Sequence, residues 1–185
     1  MMRRLVATAI LLATIAFVVI GASAPPEKAA APAAAGAALP AQTQPGATLY
    51  PVARVVDGDT IVVYMNGKNV KVRLIGLDTP EIVDPRKPVQ CFAKEASDKA
   101  KEMLTGKSVR LEQDPTQDTY DKYGRLLAYV FLPDGTNFEK YMIAEGYGHE
   151  YAYRIPHKYQ AEFEAAEKQA LETKKGLWAD GVCAP

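Results

Sequence analysis

Five short stretches of the chain have the apolar pattern of β-strands. They are rich in β-branched side chains or alternate between apolar and polar residues, and they span residues 52–56, 60–64, 70–77, 109–112 and 126–131. Asn66-Gly67, between the second and third stretches, is a strong signal for a tight hairpin. In the third stretch the apolar positions alternate with Lys71 and Arg73, so Arg73 is predicted to point away from the core.

Three other stretches have the apolar spacing of helices. They span residues 92–105, 138–145 and 158–175, and a glycine follows each of them closely. Strands and helices do not alternate along the chain, which argues against a parallel sheet with crossover helices. The pattern therefore predicts an α+β domain built on a small five-stranded barrel with three helices.

The N-terminal residues 1–24 have the layout of an export signal. Arg3 and Arg4 precede an apolar run over residues 5–21 that closes on Ala22-Ser23-Ala24. Pro25 is an unfavourable residue beside a cleavage site, and the run is close to the ~17-residue lower limit for a membrane span. A cleaved signal peptide and an uncleaved membrane anchor through residues 5–24 both remain open. Either one predicts a protein that is periplasmic, tethered to the cell envelope or secreted.

Alanine and proline dominate residues 25–50, where no hydrophobic periodicity is visible. Such a segment cannot bury enough apolar surface to offset its ordering entropy. We therefore expect a disordered linker there, followed by one folded domain at residues 51–185.

The net charge and the cysteine count exclude few classes of protein. The formal net charge is zero, so bulk charge neither supports nor excludes a nucleic-acid partner. Cys91 and Cys183 are the only cysteines. In an exported protein an even count permits one structural disulfide, and two unpaired buried thiols are the alternative.

Acidic residues occur at the ends of two different predicted strands. Asp59 lies in the turn Asp57-Gly58-Asp59, and Asp78 follows the third strand. Sheet pairing could bring both carboxylates to one point, where oxygen ligands would suit Ca²⁺. The alternative is ordinary turn chemistry, and Asp57 in particular is interpreted as turn-forming, with at most an outer-shell role.

Two arginines and one glutamate complete a candidate hydrolytic set. The planar guanidinium groups of Arg73 and Arg125 are suited to bidentate contacts with phosphate. Glu81 follows Pro80 and enters a proline-containing loop, where an exposed carboxylate could accept a proton from water or orient it. Each residue taken alone could equally be a solvated surface charge.

Three segments resemble the thermonuclease (staphylococcal nuclease) family in their order and in their residues: 57–60, 72–81 and 121–125. The resemblance spans residues 52–178. It implies an OB-fold and a calcium-dependent nuclease that hydrolyses DNA and RNA and leaves 3′-phosphate ends. It also implies a role for each member of the charged set. The cation ligands would be Asp59, Asp78 and the carbonyl of Thr79, and the catalytic residues would be Arg73, Glu81 and Arg125.

The same resemblance implies a substrate pocket and a rival function. Lys122 would contact phosphate, and three tyrosines would line the nucleotide pocket: Tyr123, Tyr151 and Tyr153. The protein is expected to act as a monomer. The alternative is a non-catalytic nucleic-acid-binding module of the same fold, although inert relatives lack several members of the charged set. The family often begins its short second helix with Asn-Glu, where this chain has Glu139-Lys140, and His149 and His157 are assigned no role.

Overall fold

The computed structural model describes residues 48–82 and 88–183. Its strands are β1 (Leu49–Asp57), β2 (Thr60–Met65), β3 (Lys68–Leu74), β4 (Gly76–Asp78), β5 (Ser108–Glu112), β6 (Leu126–Phe131) and β7 (His149–Tyr151). Its helices are α1 (Ala93–Leu104), α2 (Phe138–Ala144) and α3 (Gln160–Glu172), followed by a 3-10 helix at Gly176–Trp178. Five strands close into a barrel in the order β1-β2-β3-β6-β5, and β4 pairs with β7 in a separate two-stranded sheet. The predicted α+β fold, with a five-stranded barrel and three helices, is confirmed.

Hydrogen bonding between β3 and β6 closes the barrel. These two strands are parallel, with Arg73 opposite Leu127, whereas every other neighbouring pair in the barrel is antiparallel. The β2–β3 hairpin turns at Asn66 and Gly67, whose φ angles are 51° and 77°. Two central residues with positive φ define the turn that best matches the twist of the flanking strands, so the predicted hairpin is confirmed.

The core lies inside the barrel and beneath the three helices. Ile61, Val63, Val72 and Val109 are fully buried barrel side chains. α1 buries a face of small and apolar residues against them, and α3 buries the stripe that helical spacing predicts: Ala96, Ala100, Leu104, Phe163, Ala166 and Ala170. Each fully buried large apolar side chain stabilises the fold by about 1.5–3 kcal/mol.

The strands differ from the sequence prediction in three main respects. The expected strand at residues 70–77 is two strands. Ile75 still donates its N–H to the Ala128 carbonyl of β6 (3.2 Å), and the chain leaves the barrel at the next residue, Gly76, whose φ is 78°. β7 was not predicted. β1 begins at Leu49, since Leu49 and Tyr50 pair with β5, so these two residues belong to the folded domain and not to the linker.

Cys91 and Cys183 form a disulfide whose Cα atoms are 5.7 Å apart. It joins the chain just before α1 to the turn after the 3-10 helix. The predicted signal or anchor and nearly all of the predicted linker lie outside the described residues. Within residues 48–82 and 88–183, no helix has both the length and the apolar character needed to cross a membrane.

Candidate active site

Arg73 is the centre of a network of charged groups at one end of the barrel. Its Nη1 donates to the Leu77 carbonyl (2.9 Å), and its Nη2 donates to Asp78 Oδ1 (2.9 Å). The same guanidinium forms an ion pair with Asp59. Arg73 therefore contacts both predicted cation ligands, Asp59 and Asp78, through one guanidinium group. Its own side chain points away from the core but is only 15% exposed.

Barrel pairing explains why these groups meet. Thr60 of β2 lies opposite Arg73 of β3, which places the preceding Asp59 beside the guanidinium. The N–H of Leu74 donates to the Asp59 carbonyl (3.0 Å), and this bond fixes the end of β3 against the acidic turn. β4 then begins within two residues and carries Asp78 back toward Arg73.

Thr79 packs tightly against the acidic turn. Its N–H donates to Asp59 Oδ2 (3.3 Å), and its buried hydroxyl oxygen has no hydrogen-bond partner among the described residues. A Cβ atom on Gly58 would come within 2.7 Å of the Thr79 side chain. Glycine is therefore required at position 58 for close approach, a role that its turn signal alone did not reveal.

The donor set fits a hard cation held in part by water. Asp59, Asp78 and Thr79 supply only oxygen donors, the type that Ca²⁺ prefers. The Thr79 hydroxyl makes no hydrogen bond to any described residue, so this polar group could still contact a water or an ion. In the part of the chain that the structure describes, no three His, Cys, Asp or Glu side chains converge closely enough to bind a metal alone, so the remaining ligands would be backbone carbonyl oxygen and water.

Asp57 has a larger role than turn formation. It is buried, its Oδ1 accepts the Gly58 N–H (2.8 Å), and its carboxyl shares a hydrogen bond with Glu81. Burial, this hydrogen bond and the nearby charges of Glu81 and Asp59 raise the pKa of Asp57 to about 7. Two carboxyl groups can share a hydrogen bond only if one of them carries a proton. The interpretation of Asp57 as turn-forming is thus incomplete, because it also contacts the predicted catalytic glutamate.

The position of Asp78 is partly desolvated as well. Burial raises the pKa of its carboxyl, and the Arg73 guanidinium opposes only part of that effect. Removing Arg73 would therefore leave a partly buried carboxylate without its counter-charge, which is costly in a low-dielectric site.

Arg125 is oriented by the turn that precedes it. The carboxylate of Asp121 accepts the backbone N–H groups of Tyr123 and Arg125 (2.9 Å each) and pairs with Arg125 Nε (2.5 Å). Burial would raise the pKa of Asp121, but these hydrogen bonds and the guanidinium lower it below the ordinary value. Asp121 was not among the predicted site residues, although an aspartate that opens a Gly-containing turn is a known signal for such bonds.

A cleft of about 640 Å³ joins the two arginines and the predicted pocket residues. Arg73, Asp78 and Arg125 line it together with all four predicted substrate contacts: Lys122, Tyr123, Tyr151 and Tyr153. Asp59, Thr79 and Glu81 do not line it. Asp59 and Thr79 are buried behind Arg73, and Glu81 lies beside Asp57.

Sequence reasoning missed several residues of this cleft. Tyr120 is 55% exposed and lines the same cleft as the three predicted tyrosines, and Arg154 lies with its guanidinium carbon 4.9 Å from the centre of the Tyr153 ring. An alternation of exposed tyrosine with lysine or arginine over residues 120–125 and 151–154 was the available signal.

His157 is structural and not incidental. It is buried at the cleft, with Nδ1 2.9 Å from the Tyr129 hydroxyl and Nε2 3.2 Å from Glu150 Oε1. Tyr129 in turn donates to Asp114 Oδ2 (2.9 Å). His149 packs edge-on against Trp178 with ring centres 5.0 Å apart, and it lies opposite Asp78 in the pairing of β4 with β7. Among the described residues, neither histidine belongs to a group of three or more His, Cys, Asp or Glu side chains that could hold a metal ion.

Comparison with known proteins agrees with this architecture. The family model described as "Staphylococcal nuclease homologue" matches residues 71–180. A protein named thermonuclease from Staphylococcus hyicus is 48% identical over 131 residues, which cover 71% of this chain and 76% of the relative. The thermonuclease of Staphylococcus intermedius is 44% identical over 129 residues, covering 70% and 75%. Endonuclease YncB of Bacillus subtilis (strain 168) is 39% identical over 127 residues, covering 68% and 59%.

The structure is a small barrel with two arginines beside acidic turns, and most of the chain matches proteins with these names. These findings place the chain in the class of phosphodiester-hydrolysing nucleases. The chain belongs to the staphylococcal nuclease family.

Proposed function

We propose that this protein is a calcium-dependent nuclease that hydrolyses DNA and RNA and leaves 3′-phosphate ends. One observation carries the proposal: Arg73, Asp78 and Arg125 line a single cleft together with exposed tyrosines and Lys122, and Arg73 forms ion pairs with both Asp59 and Asp78. A surface for binding alone would need the basic and aromatic groups, but not the two carboxylates that pair with Arg73.

The two arginines would bind the scissile phosphate. Arg125 is anchored by Asp121 at Nε, and its guanidinium carbon lies 5.4 Å from the centre of the Tyr123 ring. Its two terminal nitrogens make no hydrogen bond or ion pair among the described residues, so they are available to phosphate oxygens. Arg73 would contact phosphate as well as Asp59 and Asp78, and those two carboxylates would hold the cation. Fixed donors of this kind stabilise charge that develops on phosphate oxygens in the transition state.

Glu81 would serve the attacking water. As the water oxygen bonds to phosphorus, a proton passes from the water to the Glu81 carboxylate, and the bond from phosphorus to the 5′-oxygen breaks. The leaving 5′-oxygen then takes a proton from solvent, and the phosphate stays on the 3′ side. The hydrogen bond from Asp57 to Glu81 holds this carboxyl in place before the reaction.

Asp59, Asp78 and the carbonyl of Thr79 would hold Ca²⁺. The ion would supply positive charge beside the phosphate, as hard cations do in phosphoryl chemistry. The tyrosines of the cleft would stack on bases, and because every base has a stacking face, this contact tolerates many sequences. Low sequence selectivity is the expected consequence.

We further infer that the protein is exported and acts as a monomer in the periplasm, at the cell envelope or in the medium. The inference is supported by the apolar run after Arg3 and Arg4. Mass spectrometry of the N-terminus in cell fractions would show whether residues 1–24 are removed or retained as an anchor. A full-length chain recovered only from the cytoplasm would refute export.

The test of activity uses the full chain and end-labelled DNA and RNA oligonucleotides, with Ca²⁺, with Mg²⁺ and with EDTA. Cleavage that requires Ca²⁺ is expected, and products should block extension by a polymerase until a phosphatase removes the 3′-phosphate. Binding without cleavage in Ca²⁺ would favour the rival interpretation as a non-catalytic module. Matched assays of Glu81→Gln should show oligonucleotide binding with strongly reduced turnover.

A further inference from the structure

The backbone of Glu81 is held by one residue from a distant part of the loop. The Glu81 N–H donates to Gln90 Oε1 (2.7 Å), and the Gln90 N–H donates to the Glu81 carbonyl (3.2 Å). Two reciprocal hydrogen bonds fix the direction of the Glu81 peptide units, and hence the point from which its side chain reaches Asp57. Residues 83–87 between them lie outside the described part of the chain.

Gln90 is in turn held by its neighbours in sequence. Its carbonyl accepts the Ala93 N–H (3.2 Å), so Gln90 is attached to the first turn of α1. Ala93 is fully buried in the core, which makes α1 a rigid base. Cys91, the next residue, is bonded to Cys183, and this disulfide attaches the same point to the C-terminal turn.

Phe92 adopts a backbone conformation that needs outside support. Its φ is 66° and its ψ is 5°, in the left-handed region, although it is not glycine, and its side chain makes no capping hydrogen bond at the start of α1. Such conformations persist only where the surrounding structure determines them strongly. The supports here are the disulfide on one side and the Tyr147 ring, whose centre lies 5.7 Å from that of Phe92.

We propose that Gln90 is a positioning residue for Glu81 and that the Cys91–Cys183 disulfide holds it in place, so that turnover depends on the oxidation state of the protein. The proposal rests on the proposed catalytic role of Glu81. With the disulfide broken, Phe92 is released toward ordinary negative φ values, and Gln90 moves with it. The Glu81 carboxylate then loses its fixed starting point beside the phosphate.

The redox step is an ordinary thiol–disulfide exchange. A dithiol reductant donates two electrons and two protons, the bond between the Cys91 and Cys183 sulfurs breaks, two thiols form, and the reductant becomes a disulfide. The nuclease is therefore expected to work slowly in a reducing compartment and to gain full turnover in an oxidising one.

The first test separates Gln90 from general stability effects. Gln90→Met keeps the length of the side chain but removes the acceptor, and Gln90→Glu restores an acceptor oxygen. We expect Gln90→Met to lower kcat about tenfold with little change in KM, since small misplacements of reacting groups are costly, and Gln90→Glu to recover part of the loss. Gln169→Met, at an exposed position of α3, is the matched control and should retain parental turnover.

The second test addresses the disulfide. Oxidised protein, protein reduced with a dithiol, and the Cys91→Ser/Cys183→Ser double variant are compared well below the unfolding temperature of each. Reduced protein and double variant should share the same lowered kcat, and the reductant should not affect the double variant. Adding Gln90→Met to the double variant should lower kcat less than it does in the oxidised parent, because both changes act through one contact.

Parental turnover by Gln90→Met would overturn the positioning role, and an unchanged kcat on reduction would overturn the link to the disulfide. Glu81→Gln distinguishes these failures from failure of the proposed function. If Glu81→Gln is crippled while Gln90→Met is fully active, only the present inference fails. If both variants turn over at the parental rate, the catalytic role of Glu81 is wrong.

Discussion

The buried carboxyl of Glu139 offers a sharp test of how this fold responds to pH. Glu139 lies on α2 with no exposed surface, and its Oε1 accepts the Val130 N–H (2.8 Å). Its Oε2 has no hydrogen-bond partner among the described residues. Burial raises the pKa of Glu139 well above the ordinary value, and the charge of Glu112 on β5 raises it further. Tyr129, also near, has a pKa that is raised by burial and by Asp114, so it stays neutral in this range.

The sign of the effect on stability follows from the direction of the shift. A carboxyl whose pKa is higher in the folded than in the unfolded state binds its proton more tightly when folded. Its contribution to the free energy of unfolding is fully present below the pKa that glutamate has in the unfolded chain, about 4.3. As the pH rises from there toward the folded pKa, the unfolded chain ionises first, and the free energy of unfolding falls by about 1.4 kcal/mol per pH unit.

Glu139→Gln should remove this slope. The amide oxygen keeps the acceptor for Val130, and the side chain no longer ionises. Near pH 4 the free energy of unfolding of the variant should be equal to that of the parent or slightly lower, since the amide brings N–H donors into a site without an acceptor. Above the unfolded pKa of glutamate, the stability of the variant relative to the parent should rise by up to about 1.4 kcal/mol per pH unit, until the folded pKa is passed.

Urea unfolding at a series of pH values between 4 and 8 measures both free energies. Glu172→Gln, an exposed change on α3 with a side chain 62% exposed, is the control and should leave the pH dependence of the parent unchanged. Parallel curves for Glu139→Gln and the parent over this range would refute the reasoning. That result would mean that water or a local rearrangement solvates the carboxylate in the folded state.

Four further results are expected. Arg125→Lys keeps the charge but loses the planar fork, so kcat should fall about 10²-fold with little change in KM. If Arg125→Lys and Arg125→Ala lower kcat equally, the charge of residue 125 makes no Coulombic contribution. EDTA in excess should abolish turnover, and full activity in chelator would refute the calcium assignment. Replacing Cys91 and Cys183 by serine, which opens a loop with a sequence separation of 92, should cost at most about 4–5 kcal/mol of unfolding free energy, measured by urea titration. Tyr120→Ala should weaken binding of single-stranded oligonucleotides by about 1–3 kcal/mol in a titration, whereas Tyr64→Ala, outside the cleft, should not.

The fold was predictable where one periodicity dominates. The barrel strands and the stripe of α3 are decided by burial on one face, which the sequence displays directly. β7 could not be predicted because it has only three residues, His149–Tyr151, without a β-branched side chain, and it exists only because β4 pairs with it. The break after Ile75 coincides with the positive φ of Gly76 (78°), a backbone conformation that the apolar pattern does not reveal.

The sequence could point to the residues of the candidate site, but not to the hydrogen bonds between them. Resemblance supplied the charged set, while the hydrogen bond between Asp57 and Glu81 and the anchoring of Arg125 by Asp121 depend on three-dimensional proximity. Glu139 shows the same limit. Glu139-Lys140 departs from the Asn-Glu that often begins the second helix in the family, yet Glu139 accepts a hydrogen bond from the backbone of β6.

The parallel pairing of β3 with β6 has a consequence for how activity arises during folding. Arg73 lies within this pairing and Arg125 immediately before it, so the two guanidinium groups meet only after strands from distant parts of the chain have joined. Pairings of this kind pay the loop-closure entropy first and form slowly. A chain with all of its helices and its β2–β3 hairpin formed would still be unable to clamp a phosphate. Regain of cleavage after dilution from urea should therefore follow the slowest phase of refolding.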